Sequence, residues 1–201
     1  MDTLDSMFEK SARCHPSNIA VTFNSGNAKE HVTYQELDLK ASKVAEFLNT
    51  LCEDHEVIAV YCKQSIGFVA CILGVLKHKS CFAPIDLNWP PNAICSFLSK
   101  LNVSLVLVDK ELLEPFQQCL LEWSHRSSRD YEVKVIKNEI LNANGFLLVH
   151  VKMANVKLEA LHVNTKSLSL AYVMQTSGTT GEPKAVKVPH RCIAPNITDL
   201  R

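Results

Sequence analysis

The sequence predicts an α/β fold in which a largely parallel sheet is flanked by helices. Three observations carry that prediction. Between Glu56 and Val108, short apolar runs alternate with helical periods in the order strand, helix, strand, helix, strand. A capping-box pattern at Thr33-Tyr34-Gln35-Glu36 opens a helix with a single apolar face. The stretch from Ser65 to Lys77 is apolar on nearly all sides, as suits a helix packed within the body of a protein.

The elements follow in chain order. After the Thr33 cap, Leu37, Ala41, Val44, Ala45 and Leu48 recur at spacings of three and four, one face of a helix. Glu56 to Cys62 is short, apolar and β-branched, which reads as a buried strand. Cys81-Phe82-Ala83-Pro84 reads as the next strand. Pro90 and Pro91 then precede Ile94, Leu98 and Leu101, a helix with proline near its first turn. Val103 to Val108 is another apolar strand. Further on, Tyr131 to Ile136 and Phe146 to Val151 read as strands, and Trp123 to Asp130 reads as an exposed loop. No repeat, low-complexity tract or interdomain linker stands out.

Composition narrows the function. The chain has 201 residues, room for one sizeable core or two small ones, with 47% apolar and 21% charged residues, ordinary for a folded domain. Lys plus Arg and Asp plus Glu each count 21, so no electrostatic footprint for nucleic acid or an anionic membrane is present. The N-terminus is acidic and lacks the pattern of a signal peptide, and the longest apolar run, Ile66 to Leu76, falls short of the ~20 residues a transmembrane helix needs. No transmembrane segment and no nucleic-acid partner are therefore expected. Among the eight cysteines, Cys62, Cys71, Cys81 and Cys95 lack C-x-x-C spacing, and the histidines lack ligand spacing, so no protein metal site is expected. Several cysteines sit in apolar stretches, which fits reduced thiols in a cytoplasmic protein.

The chemistry concentrates in Ala171-Tyr172-Val173-Met174-Gln175-Thr176-Ser177-Gly178-Thr179-Thr180-Gly181-Glu182-Pro183-Lys184. An apolar strand runs into small and hydroxylated residues, then proline and lysine. Gly178 and Gly181 let backbone N–H groups approach an anion closely, the hydroxyls add donors, and Lys184 adds a cation. Many donors, little bulk and one positive charge are what a polyphosphate requires. A Ser/Thr/Gly cluster between apolar runs is more often a solvated turn. A Walker A loop is disfavoured, because Glu182 and Pro183 separate the second glycine from the lysine.

The string Thr176-Ser177-Gly178-Thr179-Thr180-Gly181-x-Pro183-Lys184 resembles the signature of the adenylate-forming superfamily, which includes acyl-CoA synthetases, the adenylation domains of non-ribosomal peptide synthetases, and luciferases. Thr33-Tyr34-Gln35-Glu36-Leu37 resembles the family's early helix motif. Leu76-Lys77 through Phe82-Ala83-Pro84-Ile85-Asp86 resembles its second motif. Within the family, Val188 to Ile193 and Pro195-Asn196-Ile197 look most like the beta-alanine-activating branch. One position departs from the pattern: the family usually has glycine after the signature lysine, and here it is Ala185. A Cβ there is harmless if φ is negative and crowding if φ is positive.

The resemblance implies the N-terminal portion of the large domain of such an enzyme, with residues 1–201 a partial AMP-binding domain that stops soon after the loop and the small C-terminal domain absent. It implies ATP-dependent activation of a carboxylate, an amino or fatty acid, as an acyl-adenylate. Transfer to a thiol, CoA or a carrier-protein phosphopantetheine, would follow. Mg2+ would accompany ATP. Carried over by position, Thr176, Ser177, Gly178, Thr179, Thr180 and Gly181 would cradle the β- and γ-phosphates, Glu182 and Pro183 would complete the loop, and Lys184, the expected catalytic residue, would neutralise charge or hold the loop. The adenine, ribose and carboxylate contacts lie further along the chain in relatives, so this stretch alone is expected to be inactive. The alternative is a short, non-catalytic form that acts at most as a phosphate-binding or interaction module. A parallel sheet cut midway exposes apolar surface and a strand edge, so poor solubility is expected for 1–201 alone. His190 is expected to be a cap or packing residue, and Asp86 a turn residue.

Overall fold

A computed structural model describes residues 2–26, 28–127, 131–143, 145–153, 169–176 and 184–199. The chain begins with α1 (Leu4–Cys14), followed by the antiparallel hairpin β1 (Ile19–Ser25) and β2 (Ala28–Thr33). Then come α2 (Tyr34–Leu48), β3 (Val57–Tyr61), α3 (Ile66–Lys77), β4 (Cys81–Pro84), α4 (Pro91–Lys100) and β5 (Leu105–Asp109). A single 3-10 turn leads into α5 (Leu113–Ser127). The remaining elements are β6 (Tyr131–Ile136), α6 (Glu139–Ala143), β7 (Phe146–Met153), β8 (Leu170–Thr176), β9 (Lys184–Pro189) and α7 (His190–Asp199).

Seven strands form one sheet in the order β6-β7-β5-β3-β4-β8-β9. The centre is parallel: β3 pairs with both β4 and β5, and β4 with β8. Each margin is antiparallel, β7 on β5 and β6 on β7 at one side, β9 on β8 at the other. The largely parallel sheet flanked by helices is therefore as the sequence reading has it.

Every residue of β3 is buried, because helices cover both faces of the sheet. Ala59, Tyr61, Ala83, Val106 and Val108 face α4 and α5, where Ile94, Leu98, Phe116 and Leu120 complete one core. Ile58, Val60, Leu105 and Leu107 face the other way, onto Val44 and Leu48 of α2 and Cys71 and Val75 of α3. The alternation along each strand is the period-two geometry of β structure.

Helix α2 starts as its capping box dictates. Thr33 accepts from the Glu36 N–H at 3.2 Å, and the Glu36 carboxylate accepts from the Thr33 N–H at 2.9 Å. The five apolar residues on its predicted face are its buried residues. It packs closely on α3 at Gly74, where an added Cβ would stand 2.5 Å from the Val44 Cβ and 2.9 Å from the Ala41 carbonyl oxygen. Lys77, with a side chain only 10% exposed, joins three helices by its ammonium, 2.6 Å from Glu9 on α1 and 3.0 Å from Asp38 on α2.

One expectation is corrected. Trp123 to Ser127 is not loop but the last part of α5; residues 128–130 lie outside the described set. Phe116, Leu120 and Trp123 recur at spacings of four and three, and the Trp123 ring packs on Tyr131 with centroids 5.0 Å apart. Apolar period, rather than the polar residues between, decides the helix.

Candidate functional site

β8 changes character along its length. Leu170, Ala171 and Val173 are buried, whereas Met174 and Thr176 are exposed. Its registered partner on β4 is Phe82 opposite Tyr172; beyond that point its ladder runs with β9. Because β8 runs parallel to β4, its last described residue, Thr176, lies toward the carboxyl edge of the parallel strands. In open parallel sheets that edge is where ligands bind, because strands point their following loops into one crevice.

The neck of the hairpin is the pair Thr176 and Lys184, opposite each other in register. The Thr176 hydroxyl donates to the Lys184 carbonyl at 3.3 Å, and both residues are exposed. The structure therefore brings together the first and last residues of the loop read from the sequence. Ser177, Gly178, Thr179, Thr180, Gly181, Glu182 and Pro183 lie outside the described residues. Ala185 pairs with Gln175 in the regular ladder and is not among the residues with positive φ, so its Cβ meets the harmless condition.

Beside the neck lies a cavity of about 260 Å³ between α4 and the hairpin. Asn92, Ser96 and Lys100, four residues apart on one face of α4, line it opposite Gln175 and Ala185. The Gln175 carboxamide oxygen is buried and has no hydrogen-bond partner among the described residues. Gln175 was not singled out in the sequence. Its signal was present: Ala171 and Val173 point inward, and period two sends Gln175 the same way.

Two further groups occupy the same edge. Asp86 forms an Asx turn, accepting from the Asn88 N–H at 2.9 Å and from its side-chain amide at 3.0 Å, the turn role expected of it. Asp109, at the end of β5, accepts from the Lys63 N–H at 2.6 Å, and the Lys63 ammonium sits 2.8 Å from Glu111. Burial pushes the Asp109 carboxyl up, and the Lys63 hydrogen bond holds the Glu111 carboxyl down. Sequence reasoning missed this group, since Lys63 and Glu111 are too far apart in the chain for any local pattern.

His190 lies at the other end of the hairpin, where Leu170 pairs with Pro189. Its N–H donates to the Ser169 carbonyl at 3.0 Å, and its Nδ1 accepts from the Leu4 N–H at 3.0 Å. The ring, 7% exposed, thereby caps the first turn of α1. Burial holds its pKa below the ordinary histidine value, with Asp5 opposing. His190 is thus a packed, capping residue, but the helix it caps is α1 rather than the α7 it opens, and it lies at the opposite end of the hairpin from Thr176 and Lys184. Among the described residues, no group of three or more His, Cys, Asp or Glu side chains is placed to hold a metal ion, and no helix is long and apolar enough to cross a membrane.

A profile described as AMP-binding enzyme matches residues 8–201. The human beta-alanine-activating enzyme is 30% identical over 222 residues, covering 99% of this chain and 20% of the relative. Tyrocidine synthase 1 of Brevibacillus parabrevis is 31% identical over 193 residues, covering 96% of this chain and 16% of the relative. Among solved structures, the inhibitor-bound N-terminal domain of FACL13 from Mycobacterium tuberculosis matches at TM-score 0.69 and 19% identity, over 96% of this chain and 46% of that one. The fatty acyl-adenylate ligase of L. pneumophila, in complex with acyl adenylate and pyrophosphate, matches at TM-score 0.66 and 17% identity, over 98% of this chain and 32% of that one. At such identities the structural likeness speaks for the fold. The chain spans about a fifth of the length of its first curated relatives.

Proposed function

Because this chain belongs to the AMP-binding enzyme family, we propose that it supplies the triphosphate-binding part of an enzyme that activates a carboxylic acid with ATP, forming an acyl-adenylate and releasing pyrophosphate. The observation that carries the reading is the hairpin neck. Thr176 and Lys184 stand face to face toward the carboxyl edge of the parallel strands. The string between them supplies hydroxyls, two glycines and little bulk, a donor set that fits phosphate oxygens. In this reading Thr176 to Thr180 and Gly181 hold the β- and γ-phosphates, Glu182 and Pro183 complete the loop, and Lys184 neutralises charge developing on the leaving pyrophosphate. Mg2+ carried on the triphosphate would add charge neutralisation there; the loop's hydroxyls suit the phosphates rather than the ion.

The finer parts of the proposal are these. The acid is an amino or fatty acid, in keeping with the names of the relatives, and the acyl group passes to a thiol of CoA or a carrier-protein phosphopantetheine in a cytoplasmic setting. Residues 1–201 form a partial adenylation domain. The acid pocket and the adenine and ribose contacts lie in chain beyond this stretch, so 1–201 alone binds phosphate without turning over. The test is acid-dependent exchange of labelled pyrophosphate into ATP by the longest natural protein that contains this sequence. Exchange is expected with one class of amino or fatty acid. Its absence across a broad acid panel, in a protein that melts cooperatively, would refute the reading.

A further inference from the structure

Val173 packs in the core that it shares with Phe97 and Leu98 of α4, and Ala185 lies against that core. Gln175 follows Val173 at period two and stands opposite Ala185 in the ladder, so the Gln175–Ala185 pair faces α4. The space left between them is the cavity of about 260 Å³ beside the neck. Phe97 and Ala185 give it an apolar wall. The Phe97 ring is fixed there, 2% exposed and set edge-on to Trp89 with centroids 5.4 Å apart.

The neutral polar lining is Asn92 and Ser96, one helical turn apart, with Gln175 across from them. Each of these side chains can both donate and accept. The Gln175 carboxamide oxygen is buried and meets no donor among the described residues. Buried polar atoms are nearly always paired, so an orphan beside a cavity points to an occupant that supplies the missing donor. Size limits that occupant. The cavity is far larger than a single water needs, and it falls just under the ~300 Å³ at which sites for drug-sized ligands begin. Lys100, the last residue of α4, also lines it but has a partner of its own, so no unpaired cation calls for an anion.

We propose that the cavity between α4 and the Gln175–Ala185 pair is a binding site for a small, uncharged molecule that carries an amide on an apolar body. The amide N–H donates to the Gln175 oxygen, and the apolar body lies against Phe97 and Ala185. A carboxamide can turn end for end, and a ligand amide, with N–H and C=O side by side, pairs with it in either sense. Ser96 and Asn92 take the ligand's remaining donor or acceptor. The site stands apart from the phosphate loop and does not depend on the nucleotide reading. Its occupant ties α4 to the residue before Thr176, and so braces the neck without touching the groups proposed to meet phosphate.

The experiment uses the longest natural protein that contains this sequence, with an unreactive ATP analogue present in excess. Ligand-observed NMR gives dissociation constants for benzamide and for N,N-dimethylbenzamide, which lacks the N–H. Benzamide is expected to bind, and its dimethyl analogue to bind about tenfold more weakly or not at all. Gln175→Leu should weaken benzamide by a similar factor and erase the preference between the two probes. Ser96→Ala carries the same comparison where Gln175→Leu folds poorly. Equal affinity for benzamide in the wild type and in either folded variant would overturn the proposal. So would benzoate bound more tightly than benzamide and lost in Lys100→Ala, which would make this an anion site. No saturable binding of benzamide up to its solubility limit would mean a hydrated cavity only, and would overturn it as well.

Discussion

The two ends of β8 differ in burial and in what holds them. At the amino end, Leu170 and Ala171 are buried, and Ser169 and His190 join the strand to α7 and, through His190, to α1. Turns there are tight: His55, Lys79 and Ser169 all take left-handed backbone, with φ of 67°, 58° and 45°. At the carboxyl end Met174 is 47% exposed, and one hydroxyl bridges Thr176 to Lys184. One end is packed into the body, and the other is the exposed end proposed above to meet the phosphates. Substitutions at the first should move stability, and those at the second activity.

The largest effect should come from the buried end. Leu170→Ala removes apolar contact from a filled core and should cost about 2–5 kcal/mol, read as a fall in denaturation midpoint. A change below about 0.5 kcal/mol would mean β8 is not held where the sheet places it. At the open end, Lys184→Ala should cut pyrophosphate exchange in the longer enzyme ~10²–10³-fold, the scale of losing one transition-state donor. Its denaturation midpoint should stay near wild type. Unchanged exchange would remove Lys184 from the proposed chemistry.

His190→Ala leaves the Leu4 N–H without its acceptor and should cost about 1–3 kcal/mol. Acid should mimic it. The folded protein disfavours the imidazolium, because burial lowers the His190 pKa, whereas an unfolded chain binds that proton below about 6.5. Stability from the neutral ring is therefore complete above that value and is lost as pH falls through it. The midpoint gap between wild type and His190→Ala should narrow below pH ~6.5; a gap constant from pH 8 to 5 would contradict the cap. Smallest of all, Thr176→Val removes an exposed hydrogen bond and should cost about 0.5–1 kcal/mol. A larger loss would show that the neck needs its latch to hold register.

Much of the parallel centre was readable from local pattern. The Thr33 capping box, the all-apolar strand over Val57–Tyr61 and the proline before α4 each encode their element within a few residues. The margins were not. No element was read before Thr33, where α1 and the β1–β2 hairpin lie, and nothing local in Tyr131–Ile136 states that β6 runs antiparallel to β7. α5 was not read as a helix, and its last turns from Trp123 were read as loop because polar residues share them with Trp123. The site divides the same way. The signature string could be read because its residues are consecutive in the chain. The Asp109–Lys63–Glu111 group and the His190 cap, which joins residues 186 apart, arise only when the chain closes on itself.

Among the described residues β9 stands last in the sheet, so within this stretch its outer side offers backbone groups to any strand that drifts alongside. What such a strand would meet is Lys184, Lys187 and Pro189 within six residues. Proline has no N–H to donate, and a second chain in register would have to stack ammonium on ammonium. The lysine proposed to meet a nucleotide thus also discourages the molecule from recruiting copies of itself into a growing ribbon. Replacing it bears on self-association as much as on chemistry.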